Sequence, residues 1–213
     1  GPRFRVDAEV VRDIALSVAG ILNRDLGGPS TYPPVPDSVL QDTFSPPKYW
    51  KTPEDSQRYR RAVYLFRKRS MPDPALTTFD APNADLSCVR RVRSNTPLAS
   101  LVSLNEPIFV EAARAFALRV LREGGLDDEQ RAAFAFRLCT GRLPTMAEQD
   151  VLQSLLSNRR KQLSDGWLSI NEVATGDSAK LPKIPEGTTP QDAAAWTITA
   201  RVLLNLDETL TKN

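Results

Sequence analysis

Asp80, in Phe79-Asp80-Ala81-Pro82, and Glu106, in Leu104-Asn105-Glu106-Pro107, are the carboxylates with the best case for chemistry in this sequence. Two carboxylates suffice for glycoside hydrolysis, which needs an acid and a base or nucleophile about 5 to 9.5 Å apart. Each also has an ordinary role. Asp80 suits a turn or an arginine partner, and Glu106 a first helical turn, where the dipole favours an acid. The sequence around Asp80 is strongly basic: from Arg58 to Arg93 nine basic residues, among them Arg60, Arg61, Arg90, Arg91 and Arg93, face three acidic ones, in a chain of net charge +2. Such an imbalance either neutralises carboxylates elsewhere in the same fold or meets an anionic partner. Internal pairing is the plainer reading. It predicts a partly buried Asp80 that accepts hydrogen bonds from one or more of Arg60, Arg61, Arg90 and Arg91.

Other chemistry is excluded by composition. The chain has no histidine, the commonest general base and neutral metal ligand. A Ser-His-Asp triad, a Cys-His dyad, an H-E-x-x-H zinc site and a C-x-x-C-H haem attachment therefore cannot be built from it. Its two cysteines, Cys88 and Cys139, are too few for a thiolate cage. They form a disulfide if the compartment is oxidising, or stand as buried free thiols. The sequence assigns this chain no catalytic, cofactor or metal residue. No apolar run is long enough to span a bilayer. Generic nucleic-acid binding is not favoured, because the charged fraction of 25% is ordinary and no five like charges stand in a row.

These residues must be positioned by short helices, which the punctuation locates. Asp7 caps a first helix with Val10, Ile14, Val18 and Ile21 on one stripe, widened by Val11, Ala15 and Leu22 and ended by Gly27-Gly28-Pro29, while Arg12 and Asp13 lie on its polar face. From Gly27 to Trp50 the prolines Pro29, Pro33, Pro34, Pro36, Pro46 and Pro47 forbid regular structure. The rings Tyr32, Phe44, Tyr49 and Trp50 imply an ordered, packed loop, with a carbohydrate-stacking surface as the sharper alternative. Thr52-Pro53-Glu54-Asp55 opens a helix to about Lys68, although Tyr64-Leu65-Phe66 also fits a short strand. Thr96-Pro97 starts another over 98–104, and Pro107 sits in the first turn of the next, closed by Gly124-Gly125. Asp127 and Asp128 begin a helix ended by Gly141. Thr145 and Glu148 form a capping box before Val151, Leu152, Leu155 and Leu156. Residues 164–187 read as a long loop, and Thr189-Pro190-Gln191-Asp192 starts a last helix that buries Trp196, Val202 and Leu203. The expectation is an all-α, irregular single-domain bundle of about six or seven helices with long Pro-rich loops, spanning residues 1–213. The start at Gly1-Pro2, without a Met or a signal-peptide pattern, fits a fragment or processed product, or residues left by cloning.

Several stretches together resemble a known family. They are Gly1-Pro2-Arg3-Phe4-Arg5, Gly27-Gly28-Pro29-Ser30, Tyr59-Arg60-Arg61, Phe79-Asp80-Ala81-Pro82, Asn95-Thr96-Pro97-Leu98, Leu104-Asn105-Glu106-Pro107, Gly141-Arg142-Leu143-Pro144-Thr145 and Leu203-Leu204-Asn205-Leu206-Asp207-Glu208. In that order they are similar to the planctomycete-specific C-terminal domain of unknown function. Ala99-Ser100 and Thr209 depart from the pattern, which usually has Gln-Ala at the first and an aromatic residue at the second. The resemblance implies the last module of a large exported protein, periplasmic or extracellular, with a cytochrome-c-like domain upstream. It makes a Cys88–Cys139 bridge more credible, puts any haem in the upstream part, and carries over no catalytic residue. The function expected is a non-catalytic interaction or scaffold module. Its partners are the upstream domains of the same protein, with a polysaccharide or a redox partner as further candidates. A carbohydrate-active hydrolase with paired carboxylates is the alternative.

Overall fold

Capping residues and prolines cut the chain into short helices, and the computed structural model, which describes residues 3–35 and 50–212, places nine of them in that range. Six have seven residues or more, and the other regular elements among the described residues are two 3-10 turns and a two-stranded sheet, so the fold is mostly helical as expected. The chain groups into two compact units. The first comprises Gly1–Ser17, Ile21–Phe109 and Leu210–Asn213, the second Val18–Gly20 and Val110–Thr209.

In the first unit β1 (Phe4–Arg5) pairs antiparallel with β2 (Thr211–Lys212), Arg5 opposite Thr211. Helix α1 (Ala8–Ala19) stops at Gly20, earlier than Gly27-Gly28-Pro29 would require. Gly20 takes φ +77°, and the amides of Ile21 and Leu22 turn back onto the Leu16 carbonyl, a glycine-led C-cap. Of the expected stripe of α1, Val11, Ala15 and Val18 are buried, joined by Leu16, whereas Val10 is exposed. Arg12 is not on a polar face. It is buried and donates to the carbonyls of Arg60 (2.6 Å) and Arg58 (3.1 Å).

The helix expected from Thr52 does not form. Only two 3-10 turns, Ser56–Tyr59 and Ala62–Tyr64, occupy the segment, and Asp55 caps the first. The reason is competition for backbone groups: Asn23 bridges to Arg60 and Thr31 to Leu65 in parallel fashion, so tertiary pairing overrides the local signature. The alternative Tyr64-Leu65-Phe66 strand does not form either: Tyr64 ends the second 3-10 turn and Leu65 makes only an isolated bridge to Thr31. Tyr32, Trp50 and Phe66 pack with centroids 4.8 to 6.0 Å apart, and Trp50 Nε1 donates to the Pro33 carbonyl, so the described part of the Pro-rich loop is ordered as expected. Phe44 and Tyr49 lie outside the described residues. Helices α2 (Pro74–Thr78), capped by Asp73, and α3 (Pro97–Asn105), capped by Thr96, complete the unit with the start of α4 (Pro107–Glu123).

The second unit is built of helices. Helices α5 (Asp128–Thr140), α6 (Met146–Ser164), α7 (Ile170–Thr175) and α8 (Pro190–Leu204) all have side-chain N-caps, from Asp127, Thr145, Ser169 and Thr189. The short helix α9 (Asp207–Leu210) follows. Helix α8 is buried on nearly every side: Ala193, Ala194, Ala195 and Ala200 let neighbours approach, and Thr197 and Thr199 satisfy their hydroxyls on the carbonyls of Ala193 and Ala195. Trp196 and Leu203 are buried as expected, whereas Val202 and, on α6, Val151 face solvent. The Arg160 guanidinium grips Asp128 and Asp192, both in first turns, and so ties α6 to the starts of α5 and α8. The stretch 164–187 is not all loop, since α7 interrupts it.

Candidate interaction surface

Helix α2 ends in a motif that normally uses glycine. Asp80 N–H donates to the Thr77 carbonyl (3.0 Å) and Ala81 N–H to that of Leu76 (2.9 Å), with Asp80 itself at φ +61°. Aspartate tolerates this left-handed position better than most residues, and here its side chain does what glycine has no atoms to do. The carboxylate accepts from Arg5 Nη2, from Ser94 N (2.8 Å) and from Ser94 Oγ (3.0 Å). Arg5 Nη2 also donates to the Phe79 carbonyl (3.1 Å), and its guanidinium lies 5.3 Å from the centre of the Phe79 ring. Arg5 is buried, and its Nε and Nη1 have no other partner among the described residues, so Asp80 is its counter-charge.

This clamp fixes one end of an exposed strap, residues 81–96, which has no helix or strand of its own. Further along, Arg91 Nη1 donates to Glu9 (2.8 Å) and Arg93 Nε to Asp7 (2.8 Å), and Arg93 lies over the Phe4 ring at 5.2 Å. Arg67 reaches Glu9 as well (2.5 Å). Burial pushes the Glu9 pKa up, but the hydrogen bonds from Arg91 and Arg67 outweigh it and leave the group below its ordinary value. The hydrogen bond from Arg93 holds Asp7 low too. Both acids sit at the start of α1, where a negative charge meets the positive end of the dipole. Between these pins the apolar side chains point to solvent. Leu86 is 84% exposed, Val92 70%, Val89 fully, and Leu98 and Leu101 on α3 are 56% exposed each. Arg90 and Cys88 are exposed beside them.

The sequence candidates thus separate. Asp80 is partly buried as expected, but its arginine is Arg5, and none of Arg60, Arg61, Arg90 and Arg91 supplies it. Arg60 is taken up elsewhere: it donates to the carbonyls of Pro29 (2.8 Å), Asp25 (3.4 Å) and Gly27, and stacks on Tyr64 at 3.9 Å, so it braces the Gly27-Gly28-Pro29 turn. Arg61 is exposed and comes within 3.9 Å of Asp13. Arg91 and Arg93 are used by Glu9 and Asp7. Glu106 closes α3, half-buried, and its pKa is raised to about 7, first by burial and then by the charge of Asp73. Asp73 is raised by its own burial. The carboxylate that bears on Glu106 is therefore Asp73. Arg5, Ser94, Asp7 and Glu9 were missed because Arg5 and Asp80 are 75 positions apart, and Arg91 and Glu9 are 82 apart, with no local spacing to connect them.

Both cysteines are free. Cys88 is exposed on the strap, and Cys139 is buried in α5, its thiol pKa pushed up to about 12 by burial. Among the described residues no three carboxylates or thiolates group to hold a metal, and no helix is long and apolar enough to cross a membrane. No curated protein and no solved structure matches the chain. A family model described as PSD1, protein of unknown function (DUF1553), matches residues 1–156, and the chain belongs to that family.

Proposed function

We propose that this chain is a non-catalytic interaction module that docks, through the strap and the adjoining face of α3, on an upstream domain of a larger exported, cytochrome-linked protein. The observation that carries the reading is the exposure of Leu86, Val89, Val92, Leu98 and Leu101 on a segment held in place by Asp80–Ser94, Glu9–Arg91 and Asp7–Arg93. Isolated exposed apolar residues are ordinary, but five within sixteen positions is a density that suits a contact surface. The pins matter energetically, since a pre-ordered segment loses less freedom on docking. The planctomycete, periplasmic or extracellular setting and the upstream haem domain rest on the sequence resemblance. Residues 81–98 contain no aromatic ring for a sugar face to stack on, which favours a protein partner over a polysaccharide. The hydrolase alternative needs Asp80 free to exchange a proton or attack, and its carboxylate is held by Arg5 and Ser94. Calorimetric titration of the chain with the upstream fragment tests the proposal. Binding that drops tenfold or more in the Val89→Asp/Val92→Asp double variant is expected, and no heat at high micromolar concentration of the wild type overturns it.

A further inference from the structure

The second unit holds a groove that the reading above does not use. It has a volume of about 700 Å³, within the range of binding clefts, and lies between α5 and the start of α6. Its walls include Glu129, Leu143, Met146, Gln149, Asp150 and Gln153, so two carboxylates line it and no lysine or arginine does. Leu143 and Met146 are exposed there, on a corner that is rigidly built. Gly141 ends α5 at φ +84°, Thr145 and Glu148 form a reciprocal cap on α6, and Arg142 bridges Glu148 (2.6 Å) and Glu208 (2.8 Å) while covering the Phe136 ring at 4.9 Å. The hydrogen bonds from Arg142, with those from Thr145, hold the Glu148 pKa down to about 2. Within the groove Gln149 donates its amide to the Glu129 carbonyl (2.8 Å), and its Oε1 has no donor among the described residues. Exposed apolar side chains, two lining carboxylates and an unmet acceptor suit a segment that alternates branched apolar side chains with arginine.

The strap is such a segment, and it carries the opposite charge. We infer that the groove receives the strap of a second copy of the chain, with Leu86, Val89 and Val92 set against Leu143 and Met146, and Arg90 facing Glu129 and Asp150. The inference rests on reading the strap as an interaction surface and gives it a second occupant, one that competes with the upstream domain for Val89 and Val92. A contact between two different patches closes into a pair when it is reciprocal and extends into a chain when it is not, and either raises the mass. Opposite rim charges also make the association salt-dependent.

Sedimentation equilibrium of the full chain, at low and high ionic strength, tests the proposal. Wild type is expected to rise above the mass of one chain with concentration, more so at low salt. Glu129→Arg/Asp150→Arg and Arg90→Glu should each weaken the association tenfold or more, and the three changes in one chain should restore it. Because all three positions are exposed, unchanged circular dichroism is expected. If a variant fails to fold, titration of wild type with a synthetic 86–93 peptide, serine replacing Cys88, gives the same comparison. A wild type that stays monomeric at every concentration and salt overturns the inference, as does association indifferent to Glu129→Arg/Asp150→Arg. If monomeric wild type still binds the upstream fragment through Val89 and Val92, only the groove is lost. If Val89→Asp/Val92→Asp leaves both associations intact, the strap reading fails as well.

Discussion

Both units cap helices with local oxygens and both use arginines that reach across the sequence, but the buried arginines, Arg5, Arg12 and Arg60, all lie in the first. In the second unit four helix starts have a local oxygen, from Asp127, Thr145, Ser169 and Thr189, and the arginines that reach across it, Arg114, Arg142 and Arg160, are half-buried or exposed. In the first, arginines reach across the sequence to carbonyls and carboxylates. Arg5 holds Phe79 and Asp80, Arg12 holds the carbonyls of Arg58 and Arg60, and Arg60 holds the 25–29 turn. A helix capped locally can be built and broken one at a time. A backbone stitched by buried guanidiniums depends on each counter-group, because a stranded buried charge is far more damaging than a lost cap. The unit stitched by buried arginines is also the one that carries the exposed apolar strap.

The comparison can be broken most severely by removing α8. Truncation after Gly187 deletes Trp196, Leu203 and the alanine face of the second unit, and burial of such side chains is worth about 1.5 to 3 kcal/mol apiece for the large ones. Loss of cooperative melting is expected by circular dichroism; an unchanged midpoint would show α8 to be an appendage. Next comes Asp80→Asn, which keeps a residue tolerant of the left-handed position and removes only the charge. It should cost about 3 kcal/mol by denaturant melts, the lower end for a broken buried pair, because Asp80 retains some solvent. Equal stability of wild type and Asp80→Asn would mean that Arg5 does not need its counter-charge. Thr189→Ala, the local counterpart in the second unit, should cost about 0.5 to 2 kcal/mol through its cap. A larger loss than for Asp80→Asn would reverse the contrast.

Glu106 gives the smallest effect and the one with opposite sign. Its pKa is about 4.5 when solvated and about 7 in the fold, where burial and Asp73 disfavour the charge. Between those values the folded chain keeps a proton that the unfolded chain has lost, so stability falls as pH rises from about 4.5 to about 7 and is level above. Glu106→Gln should remove that slope and gain about 1 kcal/mol above pH 7, discounted because the group keeps much of its solvent. Melts of both proteins from pH 4 to pH 8 would show parallel curves if burial did not act on Glu106.

The same contrast explains what the sequence revealed. The caps at Thr96, Asp127, Thr145 and Thr189 were legible because donor and acceptor lie within three residues. Two more signals of that kind went unread: Asp73-Pro74 before α2, and Ser169 with Glu172, three residues on, at α7. Thr52-Pro53 shows the limit, since an identical local signature lost to pairing with Asn23 and Thr31. Asp80 was found as a candidate through its basic surroundings, yet its partner was not, because proximity of charge in sequence does not predict which arginine folds onto it. The exposed stripe of the strap had no signal, because solvent exposure of valine follows from where the pins fall.

The central claim is that the strap is ordered for contact and not for stability. The direct measurement is a paired melt and titration of Val89→Asp/Val92→Asp against the upstream fragment. The account predicts a midpoint equal to wild type and an affinity at least tenfold weaker. A variant that melts earlier and binds as well as wild type would contradict it.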